Sequence, residues 1–341
     1  MCIRDRVPAA WIAAVATFFS ELPAAQLPWP PGVLGVVTLA AFTALALFAV
    51  FWRGRGRRVI AVALAVGVLG YLGIAGGTRA VMLLTRPGDW QIAMCDVGQG
   101  DAVVVRSRGQ VALIDAGPKP ERLEKCLADL GISRVNLLML THYDLDHVGG
   151  SSAVIGRVDR VFVGPSGDAG DDRLRADLVA GGAELEQVSR GPTGLLGDLR
   201  WSILWPPARL VGIEPGNPAS VTVEFEPVGD CSTGCFSSIF LGDLGERAQE
   251  MLMAANSLDT VDVVKVAHHG SADQNAALYE RLRAVVGVIG VGADNGYGHP
   301  TQRLLDILAR AGTRAERTDR SGMILLAPGE QPHSVRVWTD R

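Results

Sequence analysis

Cysteine is scarce, with five in 341 residues, too few for a disulfide framework to replace a hydrophobic core. Two of the five, Cys231 and Cys235, stand four apart in a polar stretch with Gly234 between them. That spacing admits either a small disulfide or half a zinc site, and the lack of a second such pair argues against a four-cysteine zinc centre. An excess of positive charge is also missing. The net charge of −4 gives no bulk field that would advertise nucleic acid, although a nuclease can draw local positive charge from metals and a few basic side chains. Internal repeats and low-complexity tracts are absent, and Met1–Arg6 does not run on into a cleavable signal pattern. Acidic residues are nearly missing from residues 7–85, which sets that stretch apart from the rest.

The stretch holds two long apolar runs. Val33–Trp52 is uncharged over the roughly 20 residues that cross a bilayer. Val59–Leu84 is a second run, interrupted by Arg79. Between them lie Arg53, Arg55, Arg57 and Arg58, while Pro23–Gly32 on the other flank has no basic residue. Short arginine-rich loops stay on the cytoplasmic side, so two spans return the chain to the outer face. Residues 1–87 are therefore expected to form a multi-pass segment of the cytoplasmic membrane, with the soluble part from Trp90 on the extracytoplasmic face. An outside location would permit a Cys231–Cys235 disulfide. The alternative, that one run is buried or re-entrant, reverses the side. Val7–Ser20 is apolar but short, an interfacial helix or a truncated span.

Residues 88–341 read as one α/β domain. Strands are expected over Gln91–Val97, Ala102–Arg106, Val111–Ile114, Leu137–Leu140, Val161–Val163, Trp201–Trp205, Val221–Phe225, Ser238–Leu241, Val261–Val266, Val285–Val291 and Met323–Leu326. Helices are expected over Glu121–Leu130, Asp172–Ala180, Glu246–Ala255, Ala276–Arg283 and Thr301–Ala311. Hairpins come first and helices interleave later, which fits two mixed sheets flanked by helices better than a Rossmann sheet.

Chemistry concentrates in His142-x-Asp144-x-Asp146-His147, which follows the apolar strand 137–140 and precedes Gly149 and Gly150. Four ligand-type side chains on a loop after a rigid strand can surround two cations roughly 4 Å apart. A solvated acidic loop would rarely carry two histidines and two aspartates in this order.

The segment resembles the signature of the metallo-β-lactamase superfamily, His-x-His-x-Asp-His, with Asp144 where the second histidine would stand. More carboxylate and less imidazole favours harder cations, Mn²⁺ over Zn²⁺, and suits a phosphoesterase more than a β-lactamase. The resemblance implies an αββα sandwich and further site residues. Asp243 in Phe240-Leu241-Gly242-Asp243 matches the metal-bridging carboxylate. His268 and His269, in Lys265-Val266-Ala267-His268-His269-Gly270-Ser271, match a pair in which one histidine binds metal and the other faces substrate. The expected assignment puts Asp146, His147, Asp243 and His269 around one ion and His142, Asp144 and Asp243 around the other. His268 would then contact a substrate oxygen or protonate the leaving group, and the two histidines could be exchanged. Asp115 matches an aspartate that braces the metal loop from behind, and Asp96 and Asp101, in the neighbouring Asp-Val-Gly-Gln-Gly-Asp-Ala run, are expected to stand behind the ligands with it. No histidine occurs between His147 and His268, so a further ligand of the superfamily is missing. Asn217 lies near its place and reads most simply as a turn residue. Lys265 is either a phosphate contact or a strand-end residue facing solvent. His299, in Tyr297-Gly298-His299-Pro300, is expected to face substrate, and His333 to be structural or solvated.

The order of these motifs resembles the C-terminal hydrolase domain of ComEC-type DNA-internalisation (competence) proteins, over residues 90–341, with the apolar runs matching the last channel helices. The resemblance implies a C-terminal piece of such a protein: a two-metal phosphodiesterase that degrades the non-transforming strand, with single-stranded DNA, the membrane and other uptake proteins as partners. Two other classes remain open, a different surface metallo-phosphoesterase and a channel component whose soluble domain does no chemistry.

Overall fold

The computed structural model describes residues 11, 12, 15, 32–51, 54–229 and 235–341. Most of the 7–20 stretch, the 23–31 flank, Arg53 and Cys231 lie outside them, and with Cys231 the Cys231–Cys235 pairing. The chain divides into two compact units, Met1–Arg86 and Pro87–Arg341. In the first, helices Gly32–Phe51 and Arg55–Thr85 are long and apolar enough to cross a membrane, and their apolar windows are 6% and 0% buried. The arginine-rich segment is less of a loop than its composition predicts. Arg55, Arg57 and Arg58 open the second helix, in keeping with arginine's good helix propensity.

The second unit is a layered sandwich. Its strands are β1 (Ile92–Met94), β2 (Val103–Ser107), β3 (Gln110–Ile114), β4 (Val135–Leu140), β5 (Val158–Val163), β6 (Glu184–Gln187), β7 (Thr193–Leu196), β8 (Leu199–Trp205), β9 (Thr222–Pro227), β10 (Ser238–Phe240), β11 (Val263–Lys265), β12 (Val286–Ile289), β13 (Arg314–Arg317), β14 (Ile324–Pro328) and β15 (Val335–Thr339). They form an eight-stranded sheet ordered β15-β14-β1-β2-β3-β4-β5-β6 and a seven-stranded sheet ordered β13-β12-β11-β10-β9-β8-β7. Parallel pairing runs from β3 to β6 and from β10 to β13. Parallel neighbours need a crossover; helices Pro120–Asp129, Ala169–Ala180, Glu246–Ala255, Ala276–Leu282 and Gln302–Ala311 supply five of the six, and the short helix Leu145–Val148 lies on the sixth, between β4 and β5.

Alternate side chains of a strand point to opposite faces, and both faces here are apolar. Ile92, Met94, Val103, Val105, Leu137 and Met139 pack between the sheets with Phe225 and Phe240. Their neighbours Ala93, Val104, Leu138 and Leu140 pack instead against the outer layer with Leu123 and Leu127. On the far side of the second sheet, Val264 and Ile289 meet Leu252, Leu278 and Leu308. The two mixed sheets and flanking helices match the expected αββα architecture.

Four strands were not expected: β6, β7, β13 and β15. All four are sheet edges and carry mostly partly exposed or exposed residues. Edge strands shed the apolar alternation that betrays a central strand. A disulfide also went unforeseen. Cys95 after β1 is bonded to Cys126 on helix Pro120–Asp129, 31 positions along the chain, with Cα atoms 5.8 Å apart. It lies in the outer core, with Cys126 Sγ 3.9 Å from Met323 Sδ.

Closing a loop of this size removes about 3.7 kcal/mol of unfolded-state entropy. A Cys95→Ala/Cys126→Ala chain should unfold at a denaturant concentration lower by that free energy, and wild type in strong reductant should move the same way. Coincident unfolding curves would show that the bond does not stabilise the fold.

Candidate metal centre

The parallel strands of both sheets bring their C-terminal ends to one edge of the sandwich. The first sheet delivers Asp115 just after β3, Thr141 and His142 after β4, and Asp146 and His147 on the short helix Leu145–Val148. Asp101 precedes β2, which runs antiparallel to β3, so it arrives at the same edge. The second sheet delivers Asp243 three residues after β10, Lys265 at the end of β11, and His268 and His269 on the turn beyond it.

The backbone there is unusual. Asp115, His268 and His269 have φ of 61°, 49° and 51°. Left-handed conformations of this kind cost on the order of 1–3 kcal/mol each outside glycine and cluster at functional sites. Gly242 precedes Asp243 at φ +55°, where a Cβ would meet Ser220 Cβ at 2.6 Å. Gly150 allows a still closer approach: a Cβ there would stand 2.1 Å from the Ala116 carbonyl oxygen.

Ligand atoms of Asp101, His147, Asp243 and His269 lie within 4.8 Å of one another, and all four residues are buried. The hydrogen bonds behind them decide which nitrogen faces the centre. Asp115 Oδ1 accepts from the Thr141 amide at 2.7 Å. Its Oδ2 accepts from Thr141 Oγ1 and from His147 Nδ1, both at 2.8 Å. His269 Nδ1 lies 2.8 Å from the Gly290 carbonyl oxygen, which can only accept, so that nitrogen carries the proton. His142 Nδ1 lies 3.1 Å from Thr141 Oγ1 and 3.3 Å from Ser220 Oγ. The Thr141 hydroxyl has already spent its proton on Asp115, so His142 Nδ1 donates. All three imidazoles are thereby committed through Nδ1, and each Nε2 turns inward.

Two of those inward nitrogens lack hydrogen-bond partners among the described residues. His142 Nε2, His147 Nε2 and Asp243 Oδ1 are buried and make no hydrogen bond among the described residues. Buried polar atoms left unpaired cost about 1–3 kcal/mol each, and divalent cations bound at this edge would supply such atoms with partners. The donor set of imidazole and carboxylate fits such an ion. His147 Nε2 and His269 Nε2 stand 3.3 and 3.4 Å from Asp243 Oδ2, and His269 Nε2 is 3.1 Å from Asp146 Oδ2.

The electrostatics are those of a site waiting for positive charge. Burial opposes ionisation throughout, but Asp243 and Asp115 outweigh it and hold His147 well above the usual imidazole range. Asp243 and Asp101 likewise raise His269 to about 10. Despite its own burial, Asp243 is held well below the carboxylate range by His147, His269 and Lys265. Binding a cation at these Nε2 atoms would displace their protons.

The remaining residues fall into three groups. At the rim, Asp144 is 59% exposed with Oδ2 3.5 Å from His142 Nε2. His268 is one-third exposed, with Nε2 3.9 Å from Asp243 Oδ2, whereas His269 is buried. Beside them opens a cleft of about 400 Å³ lined by Ile213, Asn217, Pro218, Asp243, Arg247 and His268. Asn217 does sit in a short helical turn, Asn217–Ala219, yet its Oδ1 is buried without a partner. His299 stands next to His268, ring centroids 5.9 Å apart.

Inside, two expectations need correction. Lys265 neither faces solvent nor reaches toward the cleft. It is buried, ion-paired with Asp101, 3.6 Å from Asp243 Oδ1 and bonded to the Gly242 carbonyl at 3.2 Å. A buried ammonium must be paired, and the adjacent carboxylates hold it there. Asp101, expected behind the ligands, is itself part of the buried cluster, with Lys265 neutralising it and its carboxyl at about 2 although burial alone would raise it.

Away from the centre, Asp96 pairs with Arg341 at 2.8 Å and with Arg122 at 3.9 Å. Among the described residues its ion pairs are with these two arginines and not with the cluster. His333 pairs with Asp262 at 2.9 Å, ahead of β11 and so at its opposite end. Thr141, Ser220 and the Gly290 carbonyl were not foreseen as parts of the site. No local pattern marks them, since each acts only through the imidazole it meets in space.

The family model for the metallo-beta-lactamase superfamily matches residues 95–287. The chain is 31% identical over 263 residues to ComE operon protein 3 of Bacillus subtilis (strain 168), covering 69% of this chain and 32% of that protein. It is 27% identical over 327 residues to Competence protein ComA of Neisseria gonorrhoeae, covering 94% and 41%. Recombination protein 2 of Haemophilus influenzae is 26% identical over 251 residues, covering 71% and 29%. The chain thus spans less than half the length of each of these curated relatives. It belongs to the metallo-beta-lactamase superfamily, and within that superfamily it is similar to competence proteins of the ComEC type.

Proposed function

We propose that this chain is the membrane-anchored, metal-dependent phosphodiesterase part of a DNA-uptake system, cleaving the strand that is not taken in. The observation that carries the reading is the buried cluster of Asp101, His147, Asp243 and His269, whose ligand atoms lie within 4.8 Å of one another, with His147 Nε2 and His269 Nε2 both turned toward Asp243 Oδ2. His147, His269, Asp243 and the half-exposed Asp146 would hold one divalent ion, and His142, Asp144 and Asp243 a second. The share of carboxylate among these donors favours Mn²⁺ over Zn²⁺. A bound pair supplies Lewis acidity and an activated water at neutral pH.

The protein's own groups bind and orient the substrate. His268 reaches the cleft beside Asp243 and is placed to donate a hydrogen bond to a phosphate oxygen. Arg247 lines the same cleft and offers a planar guanidinium to a neighbouring phosphate. Asp115, through Thr141 and His147, keeps the first-sheet imidazoles in the required tautomer. Lys265 offsets the charge of Asp101 and Asp243, which limits repulsion toward an anionic substrate.

Two features support an extracytoplasmic hydrolase unit. Arg55, Arg57 and Arg58 lie at the junction of the two apolar helices, the pattern of a cytoplasmic turn. The Cys95–Cys126 bond suits an oxidising compartment.

Asp243→Ala in the full detergent-purified chain should lower Mn²⁺-dependent cleavage of labelled single-stranded DNA by at least 10²-fold. It should also reduce bound manganese measured by mass spectrometry. Cleavage at the wild-type rate would sink the mechanism. Asp115→Asn should weaken manganese binding roughly 10–100-fold while leaving the fold intact by circular dichroism. For sidedness, a tag after Arg341 should be digested by protease added to intact spheroplasts; protection of the tag would place the unit inside.

A further inference from the structure

In the unit Pro87–Arg341 aromatic side chains are buried or half-buried, with one exception. Tyr297 is 74% exposed, the single exposed aromatic among the described residues of that unit. It stands on the loop between β12 and helix Gln302–Ala311. Asn295 ties this loop down by donating to the carbonyls of Gly292 and His299 at 3.0 and 3.1 Å and accepting from the His299 amide at 3.2 Å. The flanking Gly296 and Gly298 have open space where a Cβ would stand, so the loop leaves the ring uncovered. The Tyr297 and His299 rings are 5.9 Å apart and inclined by only 30°. His299 in turn meets His268 at 5.9 Å, at 79°, and His268 lines the cleft with Asp243. A chain of rings therefore leads from solvent to the centre.

We infer that Tyr297, backed by His299, is a stacking ledge for an unpaired nucleobase next to the phosphate at the centre, and that it selects single-stranded nucleic acid. The inference rests on the phosphodiesterase reading and deepens it. An exposed ring held at a fixed place offers a π-face that any base can use, so stacking is sequence-tolerant. A base inside a duplex has both faces occupied and its edge paired, and unstacking it is costly. A flexible strand can place phosphate at the cleft and base on Tyr297 at once.

The test uses the full chain in detergent, stripped of metal, and fluorescence anisotropy with three labelled probes: an oligothymidylate, the same length of abasic strand, and a duplex. Wild type should bind the oligothymidylate about tenfold more tightly than the abasic strand, within the range that base–aromatic stacking gives. Tyr297→Ala should lose that ratio and Tyr297→Phe should keep it, and the duplex should bind more weakly than the oligothymidylate. A ratio unchanged in Tyr297→Ala, or equal binding of duplex and single strand, overturns the ledge. Cleavage with Mn²⁺ then separates the two levels. If strands are cut but Tyr297→Ala keeps the wild-type preference for bases, only the ledge is wrong. If no strand is cut with Mn²⁺, Mg²⁺ or Zn²⁺, the phosphodiesterase reading fails and the ledge with it.

Discussion

Asp115 is the carboxylate on which the first half of the site hangs. Its two oxygens collect the Thr141 amide, the Thr141 hydroxyl and His147 Nδ1, tying the ends of β3 and β4 to the short helix that follows. Each bond has a chemical consequence beyond its own net value of about 1 kcal/mol. By accepting the Thr141 hydroxyl's hydrogen bond it leaves that oxygen as an acceptor for His142. By accepting the hydrogen bond of His147 Nδ1 it turns the opposite nitrogen inward. Two imidazoles are oriented by one buried anion, and its left-handed backbone is part of how it is placed. The second sheet solves the same problem differently, with the Gly290 carbonyl holding His269.

Charge balance is the second constraint. Asp101, Asp115 and Asp243 are all buried at this edge, and buried carboxylates need partners. Lys265 serves two of them from within the core. One buried lysine does not neutralise three carboxylates, and the uncompensated charge holds His147 and His269 above the usual imidazole range, a role that a bound cation would take over. The arrangement is costly for a fold and useful for a metal centre, the usual compromise at functional sites.

How much of this was legible in the sequence depended on whether the cause was local. The central strands were visible because both of their faces are apolar, as in Val103–Val105 and Leu137–Leu140. The edge strands β6 and β13, Glu184-Leu185-Glu186-Gln187 and Arg314-Ala315-Glu316-Arg317, look like polar loops because nothing packs on their outer side. His142, Asp144, Asp146 and His147 were readable as a cluster from their spacing alone. Which of His268 and His269 turns inward was not, since two successive left-handed residues decide it. Lys265 looked like a surface lysine because the carboxylate that buries it, Asp101, is far away in sequence. The Cys95–Cys126 bond was hidden for the same reason, while the closer Cys231–Cys235 spacing drew notice.

The division of ligands between the sheets has a consequence for when the site comes into being. Residues up to Leu140 and the loop after it bring Asp101, Asp115, His142 and His147, and everything on the other side arrives only with β10, β11 and β12. A nascent chain that has emerged as far as Trp205 carries half a cage and no Asp243. The buried cluster therefore cannot form before the second sheet closes against the first, and a product truncated there would lack Asp243 and His269. For an enzyme proposed to cut DNA, assembly of the sandwich is itself the safety catch.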